Sequence, residues 1–213
     1  MTAERPQTLG EEIFNAISHG LGFLLAVASL PILVVFSGRH GANSSLVGAC
    51  VFSVTMMTLY LASAVYHALP PGRAKLWFQR LDHAAIFLFI AGSYTPFVLG
   101  PLRGAWGWSL FGVVWAVAGF GIVAKVLNRL AHPWLSTALY VAMGWMAVLA
   151  AGPLIEHIAP GGLLLLVAGG VAYTVGAVFF LLDNRVRYAH AVWHLFVLAG
   201  STCHFFAALW YAA

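Results

Sequence analysis

Seven stretches of this chain carry no acid and no base: residues 13–38, 40–72, 83–102, 104–124, 130–155, 157–182 and 188–213. Each holds the ~20 residues that a helix needs to cross ~30 Å of hydrocarbon. The composition agrees, with 62% hydrophobic and only 8% charged side chains, against roughly 45–50% and ~25% in a soluble domain. The expectation is an all-α integral membrane protein with seven transmembrane helices, forming one domain over residues 1–213. Residues 1–12, polar and with three glutamates, read as a short cytoplasmic N-terminal segment. They offer no basic n-region for a cleavable signal, so the first helix is expected to stay in the mature chain.

Orientation follows from the bases. With the N-terminus in the cytoplasm, the inner segments hold Arg5, Arg73, Lys75, Arg80, Lys125, Arg129, Arg185 and Arg187, and the outer ones only Arg39 and Arg103. That asymmetry is the positive-inside pattern, and it puts the C-terminus outside. The net charge of +4 therefore reflects topology and gives no reason to expect nucleic acid. Cys50 and Cys203 lie inside apolar runs, where a thiol is small apolar filler.

Helix 1 opens on a polar stripe, Glu11, Asn15, Ser18, His19 and Gly22. It reads either as a solvated face where the helix leaves the membrane or as a face folded over the cytoplasmic mouth. Pro31 should kink this helix or free a carbonyl. Helix 2 is expected over about residues 46–69, stopped by Pro70-Pro71-Gly72, and helix 3 from about residue 81 to Pro96 or Pro101. Helices 4, 5 and 6, at about 105–124, 134–151 and 160–182, have apolar interiors rich in Gly, Ala and Val. Such small residues suit close helix packing in lipid. Trp106, Trp108 and Trp134 stand near helix ends, where interfacial anchors belong.

Helix direction sorts the remaining polar groups. His67 lies near the cytoplasmic end of helix 2, with Ser63 one turn further in. Asp82 at the start of helix 3 and the pair His190/His194 at the start of helix 7 reach the same depth. Two histidines four apart share one helix face, so three imidazoles from two helices can converge. Three neutral imidazoles and a water make an open zinc site of the hydrolytic kind. Asp82 can accept a proton from that water, and Ser63 can donate to an imidazole, to the water or to an oxyanion. Asp82 also fits an N-cap, and the histidines also fit interfacial side chains.

Other cofactors fit less well. His204 sits about 21 Å beyond His190 along the helix axis, too far to join the same metal. Helix 2 has no second histidine to pair with it for two stacked haems. A retinal Schiff base needs a membrane lysine, yet Lys75 and Lys125 fall in expected loops. His40, His132 and His157 fall in connections and read as solvated.

At these residues the chain resembles the hemolysin III family, the bacterial branch of the progestin and adiponectin receptor superfamily. Glu11-x3-Asn15-x2-Ser18-His19, Ser63-x3-His67, Asp82 and His190-x3-His194 match its motifs in order, over nearly the whole chain. The resemblance implies seven helices with a cytoplasmic N-terminus. It also implies zinc held by His67, His190 and His194, with Asp82 acting through water and Ser63 close by. The superfamily's likeness in plan to alkaline ceramidases implies hydrolysis of a lipid amide or ester. The family's own name implies a haemolytic, pore-forming protein. A third reading is a membrane sensor with structural zinc. The expected partners are membrane lipids and a small amphiphilic substrate, with neither haem nor retinal.

Overall fold

The computed structural model describes residues 5–40 and 43–212. Among the described residues there is no strand, and seven helices are long and apolar enough to cross a membrane. They are α1 (Leu9–His40), α2 (Asn43–Ala68), α3 (Arg73–Leu99), α4 (Ala105–Val126), α5 (Pro133–His157), α6 (Pro160–Leu182) and α7 (Ala189–Tyr211). Their large apolar side chains face outward in quantity, among them Leu25, Phe120, Leu149 and Leu164. In water such exposure would be a liability; in lipid it is the expected surface.

α1 starts four residues earlier than its charge-free run. Thr8-Leu-Gly-Glu11 forms a capping box: Glu11 N donates to Thr8 Oγ1 at 3.4 Å, and Thr8 N donates to Glu11 Oε2 at 2.8 Å. Glu11 and Glu12 therefore stand on the first helical turn, not in a segment ahead of it. The helix runs on through Pro31 to His40.

α3 also begins early, at Arg73 instead of about residue 81. Arg73, Ala74, Lys75 and Leu76 are good helix formers, and their charges do not require a loop. The exposed Leu76 and Trp77, with Arg80 over the Trp77 ring at 5.1 Å, suit an interfacial turn. Asp82 thus sits in the third turn, well inside the helix, which removes the N-cap reading. Lys75 lies on the helix as well: its Nζ donates to Tyr66 O and Leu69 O and closes the C-terminal end of α2.

α5 extends to His157 and is interrupted by a 3-10 segment, Trp145–Ala150. Pro153 lacks the N–H that an α-helix would direct at the carbonyl four residues back. Tyr94 repairs the irregular backbone, donating from its hydroxyl toward Met143 O and Gly144 O and accepting from Ala147 N. His40 and His157 end α1 and α5, His132 precedes α5, and all three are exposed.

Neighbouring helices pack in chain order from α1 to α4, α6 packs on α7, and α7 returns to α1. Small residues permit the close approaches. A Cβ on Gly22 of α1 would stand 2.7 Å from the Tyr60 ring of α2, and one on Gly176 of α6 would stand 2.7 Å from Phe196 of α7. α5 touches α3 and α6 only sparsely, and a cavity of about 440 Å³ lies between it and the rest. The α1–α7 contact closes the bundle and brings the polar start of α1 against the two histidines of α7.

Candidate metal centre

Alternating helix direction places the start of α1, the end of α2, the first third of α3 and the start of α7 at one end of the bundle. His67, His190 and His194 meet there, each buried, with one ring nitrogen of each within 4.8 Å of the others. The ring centroids are 5.0 Å apart for His67–His190, 5.0 Å for His67–His194 and 4.8 Å for His190–His194.

Each ring is held by its far nitrogen. His67 Nδ1 lies 2.8 Å from Glu12 Oε2, His190 Nδ1 lies 3.0 Å from Asp183 Oδ2, and His194 Nδ1 lies 3.2 Å from Ser18 Oγ. Ser18 in turn donates to Asn15 O. A carboxylate that accepts from Nδ1–H fixes the tautomer, leaving Nε2 with its lone pair free. His67 Nε2 and His190 Nε2 are both buried without a hydrogen-bond partner. Unpaired buried acceptors are costly, and a cation among the three rings would satisfy them. The triad can therefore hold a metal ion. A set of imidazole nitrogens suits divalent first-row metals such as zinc, copper, iron or nickel.

Asp82 and Ser63 border the triad. Both are buried, and with His19, His190 and His194 they line one end of the cavity. Ser63 Oγ makes no well-formed hydrogen bond but faces the Asp82 carboxyl, and Asp82 lies within electrostatic reach of His190. The rest of the lining is mostly apolar, including Ile86, Phe89, Trp145, Leu166 and Val197. His204 lines the far part of the same cavity, its Nδ1 turned to Gly200 O, away from the triad as its spacing predicts.

The α1 stripe is not solvated. Glu11, Asn15, Ser18 and His19 are all buried, and they do different work. Glu11 ties the N-terminal segment to the α6–α7 connection, accepting from Arg5 at 2.6 Å, from Thr8 Oγ1 and from Tyr188 N. Asn15 donates to Gln7 Oε1. His19 stacks flat on His194, with centroids 3.4 Å apart and planes within 7°. It therefore packs against one member of the triad.

Glu12 and Asp183 are the site residues that sequence reasoning missed. Glu12, Asn15 and His19 are spaced i, i+3, i+7, so Glu12 fits the buried face as well as Glu11 does. Asp183 sits across a turn from His190, and no helical spacing points from one to the other.

The chain matches the family described as Haemolysin-III related over residues 7–205. It is 43% identical over 205 residues to Hemolysin-3 of Bacillus cereus, covering 96% of this chain and 93% of that protein. It is 41% identical over 204 residues to the Hemolysin-3 homolog of Bacillus subtilis (strain 168), covering 96% and 95%. The human monocyte to macrophage differentiation factor is 29% identical over 209 residues, covering 94% and 84%. With its seven spanning helices and these bacterial relatives, the chain belongs to the haemolysin-III related family of multi-pass membrane proteins, within the progestin and adiponectin receptor superfamily.

Proposed function

We propose that this protein is a zinc-dependent hydrolase that cleaves an amide or ester bond of a lipid-like substrate at the cytoplasmic leaflet. One observation carries the reading. Three buried imidazoles with engaged Nδ1 atoms meet beside a buried carboxylate and a buried hydroxyl, two of the three lining the polar end of a mostly apolar cavity. The distribution of bases supports the cytoplasmic placement, since Arg5, Lys75 and Arg185 lie at the same end of the bundle as the triad.

His67, His190 and His194 would hold the metal. Bound zinc lowers the pKa of a water toward ~7 and polarises a carbonyl. Asp82 accepts the proton given up by the attacking water and can return it to the leaving group. Ser63 would donate a hydrogen bond to the carbonyl oxygen as negative charge grows there. Glu12, Asp183 and Ser18 keep the three rings in one orientation through the reaction. The apolar lining receives the substrate's chain and keeps bulk water away from the reacting bond.

The name Hemolysin-3 belongs to the Bacillus relatives. Among the described residues, the buried acids, bases and histidines are Glu11, His19, His67, Asp82, Lys125, His190 and His194, all toward one end of the bundle. That arrangement supports a local site over an aqueous path through the membrane.

The test is a hydrolysis screen of acyl amides and esters with purified, zinc-loaded protein, comparing wild type with Asp82→Asn. The substitution preserves shape and removes the base, so zinc content should hold while turnover falls ~10²–10⁴-fold. Leakage from liposomes, if present in wild type, should survive it. A fully zinc-loaded wild type that cleaves no lipid would end the catalytic reading and leave a structural metal in a membrane-active or sensing protein.

A further inference from the structure

The ring of His19 is unexplained by the metal centre. Both of its nitrogens are buried, and neither makes a well-formed hydrogen bond, the backbone of His194 being the one polar group recorded within reach of the ring. A neutral imidazole carries one N–H donor and one acceptor in either tautomer, so at least one polar atom stands unpaired inside a membrane protein, where such groups are costly. The residue is not loosely placed. It lies flat against His194 and meets the Tyr60 ring edge-on at 5.0 Å and 83°.

A fourth metal ligand is the first explanation to consider, and the stacking argues against it. An imidazole binds a cation along a lone pair in its own ring plane. An ion in the plane of His194 would lie out of the parallel plane of His19 by about the stacking separation, and His19 could not reach it. A four-imidazole shell would also close the site, whereas a catalytic centre keeps a position open.

What remains is the cavity, which His19 lines together with Ser63, Asp82, His190 and His194. We infer that His19 contacts the ligand directly, its ring nitrogens hydrogen-bonding the polar head of an amphiphile whose chain occupies the apolar part of the cavity. The inference rests on the proposed lipid substrate for the nature of the ligand. It needs no turnover and no change of protonation: a neutral N–H donates to a carbonyl or hydroxyl oxygen, and the other nitrogen accepts from a hydroxyl or amide N–H. Ser63 and His19 then address the head of the ligand from α2 and α1, while Trp145 and Trp193, which also line the cavity, pack along its chain.

Those tryptophans give a readout independent of catalysis. Zinc-loaded full-length protein in detergent is titrated with an N-acylethanolamine bearing a brominated chain, and the quenching displaced by the unbrominated compound is taken as binding. His19→Phe keeps the ring and the stacking but removes both nitrogens. It should weaken displaceable binding roughly tenfold or more, the loss expected when a buried polar ligand group loses its partner. Its zinc content should match wild type. His19→Gln, which restores a donor and an acceptor, should recover part of the affinity, and His19→Leu serves as the apolar variant if His19→Phe does not fold. Wild-type affinity in the apolar variant would overturn the inference. So would loss of zinc in that variant, which would make His19 a support of the metal centre, or an absence of displaceable binding to wild type. A wild type that binds the amide without cleaving it contradicts the hydrolase alone, because the His19 comparison is read from binding.

Discussion

Glu12 Oε2 stands 2.8 Å from His67 Nδ1, while the other oxygen of the same carboxylate stands 3.0 Å from Lys75 Nζ. One side chain on the first turn of α1 thus holds a ring at the end of α2 and the lysine that closes that end from α3. The arrangement favours one tautomer of His67 and joins three helices at the histidine triad. Carboxylate support of this kind usually changes metal affinity by ~10–100-fold.

Glu12→Gln should therefore weaken zinc binding by about that factor without abolishing it, measured by competition against a chelator. Asp183→Asn should act in the same direction through His190, whose Nδ1 it faces at 3.0 Å. Glu156→Gln, near the end of α5 and exposed, is the control and should leave affinity unchanged. Equal affinities in Glu12→Gln, Asp183→Asn and wild type would mean that these carboxylates do not orient the rings.

Packing at the α1–α2 seam makes a separate prediction. A methyl on Gly22 would meet Tyr60 Cδ1 at 2.7 Å and a Leu198 methyl at 2.9 Å, closer than carbon atoms tolerate. Gly22→Ala should destabilise the protein by about 1–3 kcal/mol, the usual cost of overpacking, seen as a lower melting temperature in detergent. Gly20→Ala, which would meet nothing within 4 Å, should melt like wild type. Equal melting of both variants would contradict the close seam.

Topology can be tested without purification. The eight-to-two asymmetry of bases predicts that a reporter after Ala213 reads extracytoplasmic and one between α2 and α3 reads cytoplasmic. The reverse pattern would move the centre to the outer leaflet. It would leave the convergence of His67, His190 and His194 intact, because that depends on the antiparallel order of the helices and not on the side that faces the cytoplasm.

The seven spans were legible because hydrocarbon imposes one strong rule, a long uncharged run per crossing, and the chain obeys it seven times. The histidine triad was legible for a related reason: alternating direction fixes which helix ends share a depth. Helix starts were less so. The first turn of α1, with Glu11 and Glu12, and the Arg73–Arg80 stretch are helical despite their charge, because capping and propensity act outside the membrane, where hydropathy is silent. The carboxylates that steady the rings were the least legible. Asp183 reaches His190 around a turn whose Tyr188 has a left-handed backbone, φ 61°, and no periodic pattern encodes that path. His19 sat in a stripe that the sequence left open between water and protein. Only the α1–α7 contact decides it, since that contact lays the ring on His194.

Metal content tests the central claim most directly. Protein purified in zinc-containing buffer and freed of loosely bound metal should carry about one zinc per chain by elemental analysis. The double variant His67→Ala/His194→Ala, with a single imidazole of the triad left, should carry almost none, and His204→Ala should carry as much as wild type. A wild type without stoichiometric metal, or a double variant that keeps its full complement, would contradict a metal centre built on these three histidines.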